Sequence, residues 1–332
     1  MRNILCVTLI ALLGGCTSTS VTEKYQDKRN DIINVKDKVI EFETGNVLIG
    51  SVSRLYMSNK CLLIADHKSV DKQIHIFNKN DFSYLTSIGN FGEGPEEITV
   101  MGCLAIDEAH HQLYVSDHAK QKIFSYDMDS VMVDSLYKPQ VKPAMNETLF
   151  PSEYQYINDT LSIAVLIKPT STSTFNQFLG RWNMNTGEMI PMKYTHPDIQ
   201  KKRITFAASE KAGIYVECYT RHDLMTICSL DGELLYNIYG PDWDGGNGNK
   251  LQSFGTVMIG NDKIFVSYCG EDYARDSFPT KILVFDLEGN YLKTLETGYK
   301  ISDCCYDSFN NRIILSLNDV VQFAYLDIDG II

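Results

Sequence analysis

The sequence predicts an all-β chain, a six-bladed β-propeller with four-stranded blades whose ring is closed by an N-terminal strand. Three observations predict it. A strand–loop–strand unit recurs six times, its first apolar strands beginning near Leu62, Leu113, Leu161, Ile214, Ile264 and Ile313, with spacings of 51, 48, 53, 50 and 49 residues. Each unit has room for four strands, and four strands in about fifty residues is the size of a propeller blade. No stretch shows sustained helical periodicity with caps at its ends.

The first segment stands apart from the repeat. Arg2 supplies a positive charge, and Ile4 to Leu13 is an apolar run. The run is too short to span a bilayer as a mature helix, and it has the length of a signal-peptide core. Leu13-Gly14-Gly15-Cys16 follows. This order of charge, apolar run, small residues and cysteine resembles the lipobox of bacterial lipoproteins. The resemblance implies cleavage after residue 15 and lipidation of Cys16. Residues 16–36 are then the lipidated cysteine and a flexible tether, since Thr17 to Asp31 is polar with little apolar content. The propeller occupies 37–332.

Within the repeat, the second strands end in polar turns: Phe77-Asn78, Tyr126-Asp127, Trp182-Asn183, Leu230-Asp231, Phe285-Asp286 and Leu326-Asp327. Asp231-Gly232, Glu288-Gly289, Asn185-Thr186-Gly187 and Asp329-Gly330 supply tight-turn chemistry, because glycine tolerates the positive φ such turns need. A third strand follows, as in Tyr84 to Ile88 or Tyr291 to Leu295, and an earlier strand precedes each unit, as in Gly255 to Ile259. The last unit stops at Ile332, just past its turn, and so lacks an outer strand. Lys38-Val39-Ile40-Glu41-Phe42 is strand-like and is expected to fill that place, which joins the chain ends and removes open edges.

The stretch Ile88-Gly89-Asn90-Phe91-Gly92-Glu93-Gly94-Pro95-Glu96-Glu97-Ile98 resembles the Gly-rich blade connection of NHL-type propellers. The unit from Leu113 to Asp127 is similar to their strand–Asp–loop–strand core. With the lipobox, the chain resembles a six-bladed, TolB-like or NHL-like propeller lipoprotein of Bacteroidetes. That resemblance implies fold and location, not one activity. No acidic run follows Cys16, which favours an outer-membrane anchor facing the periplasm over one at the cell surface.

Loops on one propeller face surround the channel, and binding residues commonly sit on such loops. Asp66-His67, Asp117-His118 and His222-Asp223 fall there, as does Trp243. Imidazole and carboxylate can hold a divalent metal such as calcium or zinc, or act as acid and base. The structural alternative is that each Asp fixes its own turn through backbone N–H groups while the His lies in water. Trp243, Phe91, Tyr219 and Tyr273 could stack on a sugar or peptide, or wedge between blades. His110-His111 is placed in a solvated turn on the opposite face, and His196 has no evident partner. Gly245-Gly246-Asn247-Gly248-Asn249 is not followed by a helix, so it reads as a blade connection and not a phosphate loop. No GxSxG elbow, P-loop or HExxH is present.

Composition narrows the partners. Net charge is −12 with no basic cluster, which disfavours nucleic acid. Beyond Cys6 and Cys16, seven cysteines remain, an odd number without CxxC spacing. They read as buried strand residues, with one Cys218–Cys228 bridge conceivable. The expected function is a monomeric, membrane-anchored binding or scaffold protein that meets an envelope protein, peptide or glycan and needs no cofactor. The alternative is a metal-assisted propeller hydrolase or lyase using His67, His118 or His222.

Overall fold

The computed structural model describes residues 22–134, 136–142, 149–171, 174–248, 251–275 and 277–332. The expected signal segment and Cys16 lie outside them. Three short strands come first: β1 (Glu23–Tyr25), β2 (Ile32–Asn34) and β3 (Val39–Glu41). Blade 1 follows with β4 (Ser53–Met57), β5 (Cys61–Asp66), β6 (Lys72–Asn78) and β7 (Tyr84–Asn90). Blade 2 has β8 (Met101–Asp107), β9 (Gln112–Asp117), β10 (Lys122–Asp127) and β11 (Gln140–Lys142). Blade 3 has β12 (Phe150–Asn158), β13 (Leu161–Pro169), β14 (Phe175–Trp182) and β15 (Met189–Pro191). Blade 4 has β16 (Ile204–Ser209), β17 (Ile214–Tyr219), β18 (Leu224–Ser229) and β19 (Leu234–Tyr239). Blade 5 has β20 (Leu251–Gly260), β21 (Lys263–Asp272), β22 (Lys281–Asp286) and β23 (Tyr291–Glu296). Blade 6 contributes β24 (Ile301–Asp307), β25 (Arg312–Leu317) and β26 (Phe323–Asp327). One short helix, Met128–Val133, starts where Asp127 accepts the Ser130 N–H.

Each blade is an antiparallel meander, and the sixth is completed by β3, which pairs antiparallel with β26 (Glu41 opposite Ala324). The strand expected at Lys38 to Phe42 therefore closes the ring. Phe42 carries the closure into blade 1: its ring stacks on Phe82 at 3.9 Å and on Phe323 at 5.9 Å.

The apolar runs of the second strands now have a physical reason. Successive side chains on a strand point to opposite faces. In a propeller both faces of every sheet meet a neighbouring blade. Thus Leu62 and Ile64 of β5 pack against Ile314 and Phe323 of blade 6, while Leu63 and Ala65 pack against Leu104 and Val115 of blade 2. The same division holds at β17, where Val216 and Cys218 face blade 5 and Tyr215 and Tyr219 face blade 3. Six apolar cores result, one in each gap between blades.

Between blades 6 and 1, on the side away from the channel-mouth loops, that packing encloses charge. Asp307, with a fully buried side chain, meets Lys79 Nζ at 3.2 Å and Arg312 Nε at 3.3 Å. Asn310 Nδ2 donates to the same carboxylate at 2.7 Å.

The N-terminal segment differs from the expected tether. Residues 22–36 lie on the propeller: β1 pairs parallel with β19, and β2 pairs parallel with β23. Between them Arg29 enters the gap between blades 4 and 5. Its Nη1 donates to Asp223 Oδ1 at 2.7 Å, with side chains 6% and 0% exposed. The guanidinium lies 5.6–5.7 Å from the ring centres of Phe254, Tyr268 and Phe285. A polar composition reads as unstructured because it lacks apolar area of its own; here another part of the chain supplies edge strands and a buried carboxylate.

The cysteine bridge does not form. Cys218 lies opposite Met225 and Cys228 opposite Tyr215 in the β17–β18 ladder, and all seven cysteines of the described residues are buried and free. Among the described residues no helix is long and apolar enough to cross a membrane.

Candidate functional site

The innermost strands β4, β8, β12, β16, β20 and β24 surround a channel of about 1470 Å³. An innermost strand has no inward neighbour, so part of its backbone must find other partners. Side chains from adjacent blades provide them. Asp303 Oδ2 of blade 6 accepts Leu55 N–H of blade 1 at 2.8 Å. Thr256 Oγ1 of blade 5 donates to Asp303 Oδ1 at 2.6 Å, and Thr205 Oγ1 of blade 4 donates to the Gly255 carbonyl at 2.6 Å. Gln155 Oε1 of blade 3 accepts Ala208 N–H at 2.6 Å. Arg54 of blade 1 meets Glu153 of blade 3 at 2.9 Å. These bonds circle the channel but pass over blade 2, whose channel-lining residues Met101 to Ile106 carry no polar side chain except the Cys103 thiol; Asp107, the last residue of β8, lies outside the channel lining.

Arg54 and Glu153 are 46% and 36% exposed to channel water, so their pairing is of the modest, partly screened kind. Burial works against the Arg54 charge, yet Glu153, Tyr56 and Asp303 hold the guanidinium above its ordinary range. Burial pushes Asp303 up, against its bonds from Thr256 and Leu55. The pair offers a planar donor fork beside a carboxylate, which suits hydroxyl, amide or carboxylate groups of a ligand.

The sequence-selected residues sit around this channel or just outside it. Each Asp fixes loop backbone, as the turn argument expects. Asp66 accepts Gly50 N–H at 2.7 Å and Lys68 N–H at 2.9 Å. Asp117 accepts Thr99 N–H at 2.8 Å and Ala119 N–H at 3.0 Å. Asp223 accepts Asp242 N–H at 3.2 Å besides Arg29. Burial outweighs these bonds at Asp223 and raises its carboxyl. The Gly-rich connection after blade 1 is clasped by Lys120, whose Nζ donates to the Gly94 and Glu97 carbonyls at 2.7 Å each.

The histidines do not lie out in water. His67 and His118 line the channel half-buried, and the Nε2 atom of each is sealed from solvent without a partner. His118 rests against Gly102, where an added Cβ would overlap its ring and the Ser116 hydroxyl. Gly102→Ala is therefore expected to cost about 1–3 kcal/mol of stability by overpacking, read from urea denaturation. An unchanged midpoint would mean that His118 is free to move off the strand. His222 is buried, 3.8 Å from Asp244, and packs with Tyr219 and Trp243; Trp243 in turn packs with His196 and Tyr239. Trp243 thus packs against the core between blades 3 and 4. His196, without a partner in the sequence reading, shares a 2.9 Å hydrogen bond with the Tyr239 hydroxyl.

Burial lowers the pKa of His67, His75, His118, His196 and His222 alike. The native state thus binds fewer protons than the unfolded chain below the ordinary histidine value of about 6.5, and stability falls as pH falls from there through the native values. Each such histidine contributes a slope of at most about 1.4 kcal/mol per pH unit. Two opposing groups are weaker or act lower: exposed His110, raised by its Asp107 hydrogen bond, and the raised carboxyls of Asp223 and Asp303. Melting temperature is expected to drop steadily between pH 7 and pH 5; a flat profile would contradict the burial of these rings.

The channel ring itself escaped the sequence reading, although a signal exists. Arg54, Glu153 and Thr256 each stand eight residues before the unit starts at Leu62, Leu161 and Ile264. On the opposite face, His110 Nδ1 meets Asp107 Oδ2 at 2.8 Å, with Asp159 3.8 Å away. Among the described residues this is the group in which three ligand atoms approach one another closely enough for one ion, and the channel-mouth histidines are not part of it.

Fold and channel define a six-bladed β-propeller with an open central channel of mixed polar and apolar lining. Residues 17–167 match the family DUF5128, described as a 6-bladed beta-propeller. Among solved structures the chain is similar to a DUF4221-family protein of Bacteroides vulgatus, with a TM-score of 0.63 and 11% identity over 90% of this chain and 98% of that one. It is also similar to a Bacteroides fragilis protein described as exported, with a TM-score of 0.57 and 14% identity over 89% and 87%. At such identities the likeness shows the fold. No curated protein matches the sequence.

Proposed function

We propose that this chain is a lipid-anchored binding protein of the bacterial cell envelope that receives a peptide or glycan at the mouth of its central channel. The observation that carries this reading is the channel: about 1470 Å³, ringed by hydrogen-bonding side chains from five blades, with Arg54 and Glu153 open to water inside it. Exposed apolar side chains stand on the surrounding loops and strand ends, among them Val70, Phe91, Phe175, Tyr273 and Val320. A channel that sets the Arg54–Glu153 pair among apolar lining residues, under an apolar rim, suits an amphipathic ligand. The exported Bacteroides neighbour supports an envelope location. A catalytic reading has less support, because the three loop carboxylates are engaged with loop backbone and Nε2 of His67 and His118 is closed off.

The test is retention against turnover. Purified protein is mixed with envelope glycan fragments and peptides and followed by native mass spectrometry. A stoichiometric adduct lost in Arg54→Gln and in Phe91→Ala is expected. Conversion of the bound species to products, abolished by His118→Gln, would instead establish an enzyme. For the anchor, Cys16→Ala is expected to lose labelling by a clickable palmitate analogue and to move the protein from the membrane to the soluble fraction. Persistence in the membrane fraction would refute lipidation as the anchor.

A further inference from the structure

The strap formed by β1 fixes how an anchored propeller stands on its membrane. β1 runs parallel to β19, with Glu23 opposite Asn237 and Tyr25 opposite Tyr239. Its C-terminal end therefore lies at the end of β19 that leads into the Gly240 connection, on the channel-mouth face. Its N-terminal end points the other way. The Thr22 carbonyl accepts Asn237 N–H at 2.7 Å, so Thr22, the first described residue, lies on the side of the start of β19 and the turn at Asp231-Gly232-Glu233. That turn, with the neighbouring turn at Glu210 to Gly213, belongs to the face opposite the channel mouth.

The hold on this end is more than backbone pairing. Asn237 Nδ2 donates to Glu23 Oε1 at 3.0 Å, and Tyr25 stacks on Tyr239 at 4.6 Å. Lys24 Nζ donates to the Glu288 carbonyl in a turn of blade 5 at 2.7 Å. Six peptide steps separate Cys16 from Thr22. Fully extended, they reach at most about 20 Å.

We infer that the turn face of blade 4 is apposed to the lipid bilayer and that the channel mouth faces away from it, open to ligands from the aqueous side. The inference rests on the lipidation of Cys16 proposed above. An acylated cysteine sits at the headgroup level, and the short reach from there ends on the turn side of β19.

All seven cysteines of the described residues are buried, so a new surface cysteine accepts a dye selectively. Lys211→Cys marks the turn face of blade 4, where the side chain is 84% exposed, and Val320→Cys marks the channel-mouth face, where the residue is 99% exposed. The full lipidated protein is placed in phosphatidylethanolamine–phosphatidylglycerol vesicles carrying a headgroup energy acceptor. Transfer from position 211 is expected to exceed transfer from position 320 several-fold. Insertion of twenty Gly/Ser residues after Ser20 is expected to remove the difference. Equal or reversed transfer in protein that floats with the vesicles overturns the orientation alone, as does a difference that survives the insertion. Protein that does not float overturns the anchor, and the orientation with it.

Discussion

A chain lacking residues 22–42 should fail to unfold in one cooperative transition, because the sixth blade would lose its outer strand and two other blades their edge cover. β3 supplies the final ladder of blade 6, and Phe42 joins that blade to blade 1 through Phe82. Without them β26, β19 and β23 all present open edges, which invite association with other chains. The single change Phe42→Ala tests the same joint with less disruption. Phe42 is 9% exposed within the apolar cluster that also holds Leu55, Phe77 and Phe323. Removing a ring from such a site costs about 3–5 kcal/mol. A lowered urea midpoint with unchanged slope is the expected reading. A truncated chain that melts like the full one would show that the ring closes without its N-terminus.

Asp307→Ala should be comparably damaging. The substitution leaves Lys79 and Arg312, 7% and 8% exposed, facing each other without their shared anion. Breaking a buried ion pair from one side costs about 3–5 kcal/mol, mostly through the charge left behind. Replacing all three residues, as in Asp307→Leu with Lys79→Met and Arg312→Met, should recover much of that loss, since apolar groups of similar size need no counter-ion. Recovery that does not occur would locate the cost in the Asn310 and Phe309 backbone contacts of the same carboxylate. Burial alone would raise the Asp307 carboxyl, but the Asn310 and Lys79 hydrogen bonds bring it below the usual carboxylate range. Its contribution is therefore present above about pH 3.9 and lost as pH falls through the native value.

The blades were legible because each repeats the same local pattern: an apolar strand buried on both faces, a polar turn and a glycine where positive φ is needed. Gly232 and Gly289 do adopt φ of 86° and 79°. Ring closure was legible because the last unit is visibly short of a strand and a strand-like segment remains unassigned near the start. The strap was not. Its strands are three residues each, and their stability comes from Asp223, Asn237 and β23, far along the chain. The site was half legible. Turn carboxylates announce themselves by their neighbours: Asp66, Asp117 and Asp223 accept loop N–H groups, as the structural alternative expected. The inward turn of His118 depends on Gly102 and on Phe150 of blade 3, which no local window contains. The partnership of Arg54 with Glu153 likewise exists only once six sheets are brought around one axis.

Ring closure also sets a timetable. Glu41 pairs with Ala324, which the ribosome adds 283 residues later (324 minus 41). Arg29 must likewise wait for Asp223. The earliest-synthesised residues of the fold are thus the last to find their places, and the native ring cannot form on a partial chain. Pairing across such sequence distances is slow. Until the N-terminal strands dock, β19, β23 and β26 keep open edges, so that delay is also the interval in which a newly made chain is exposed to pairing with others.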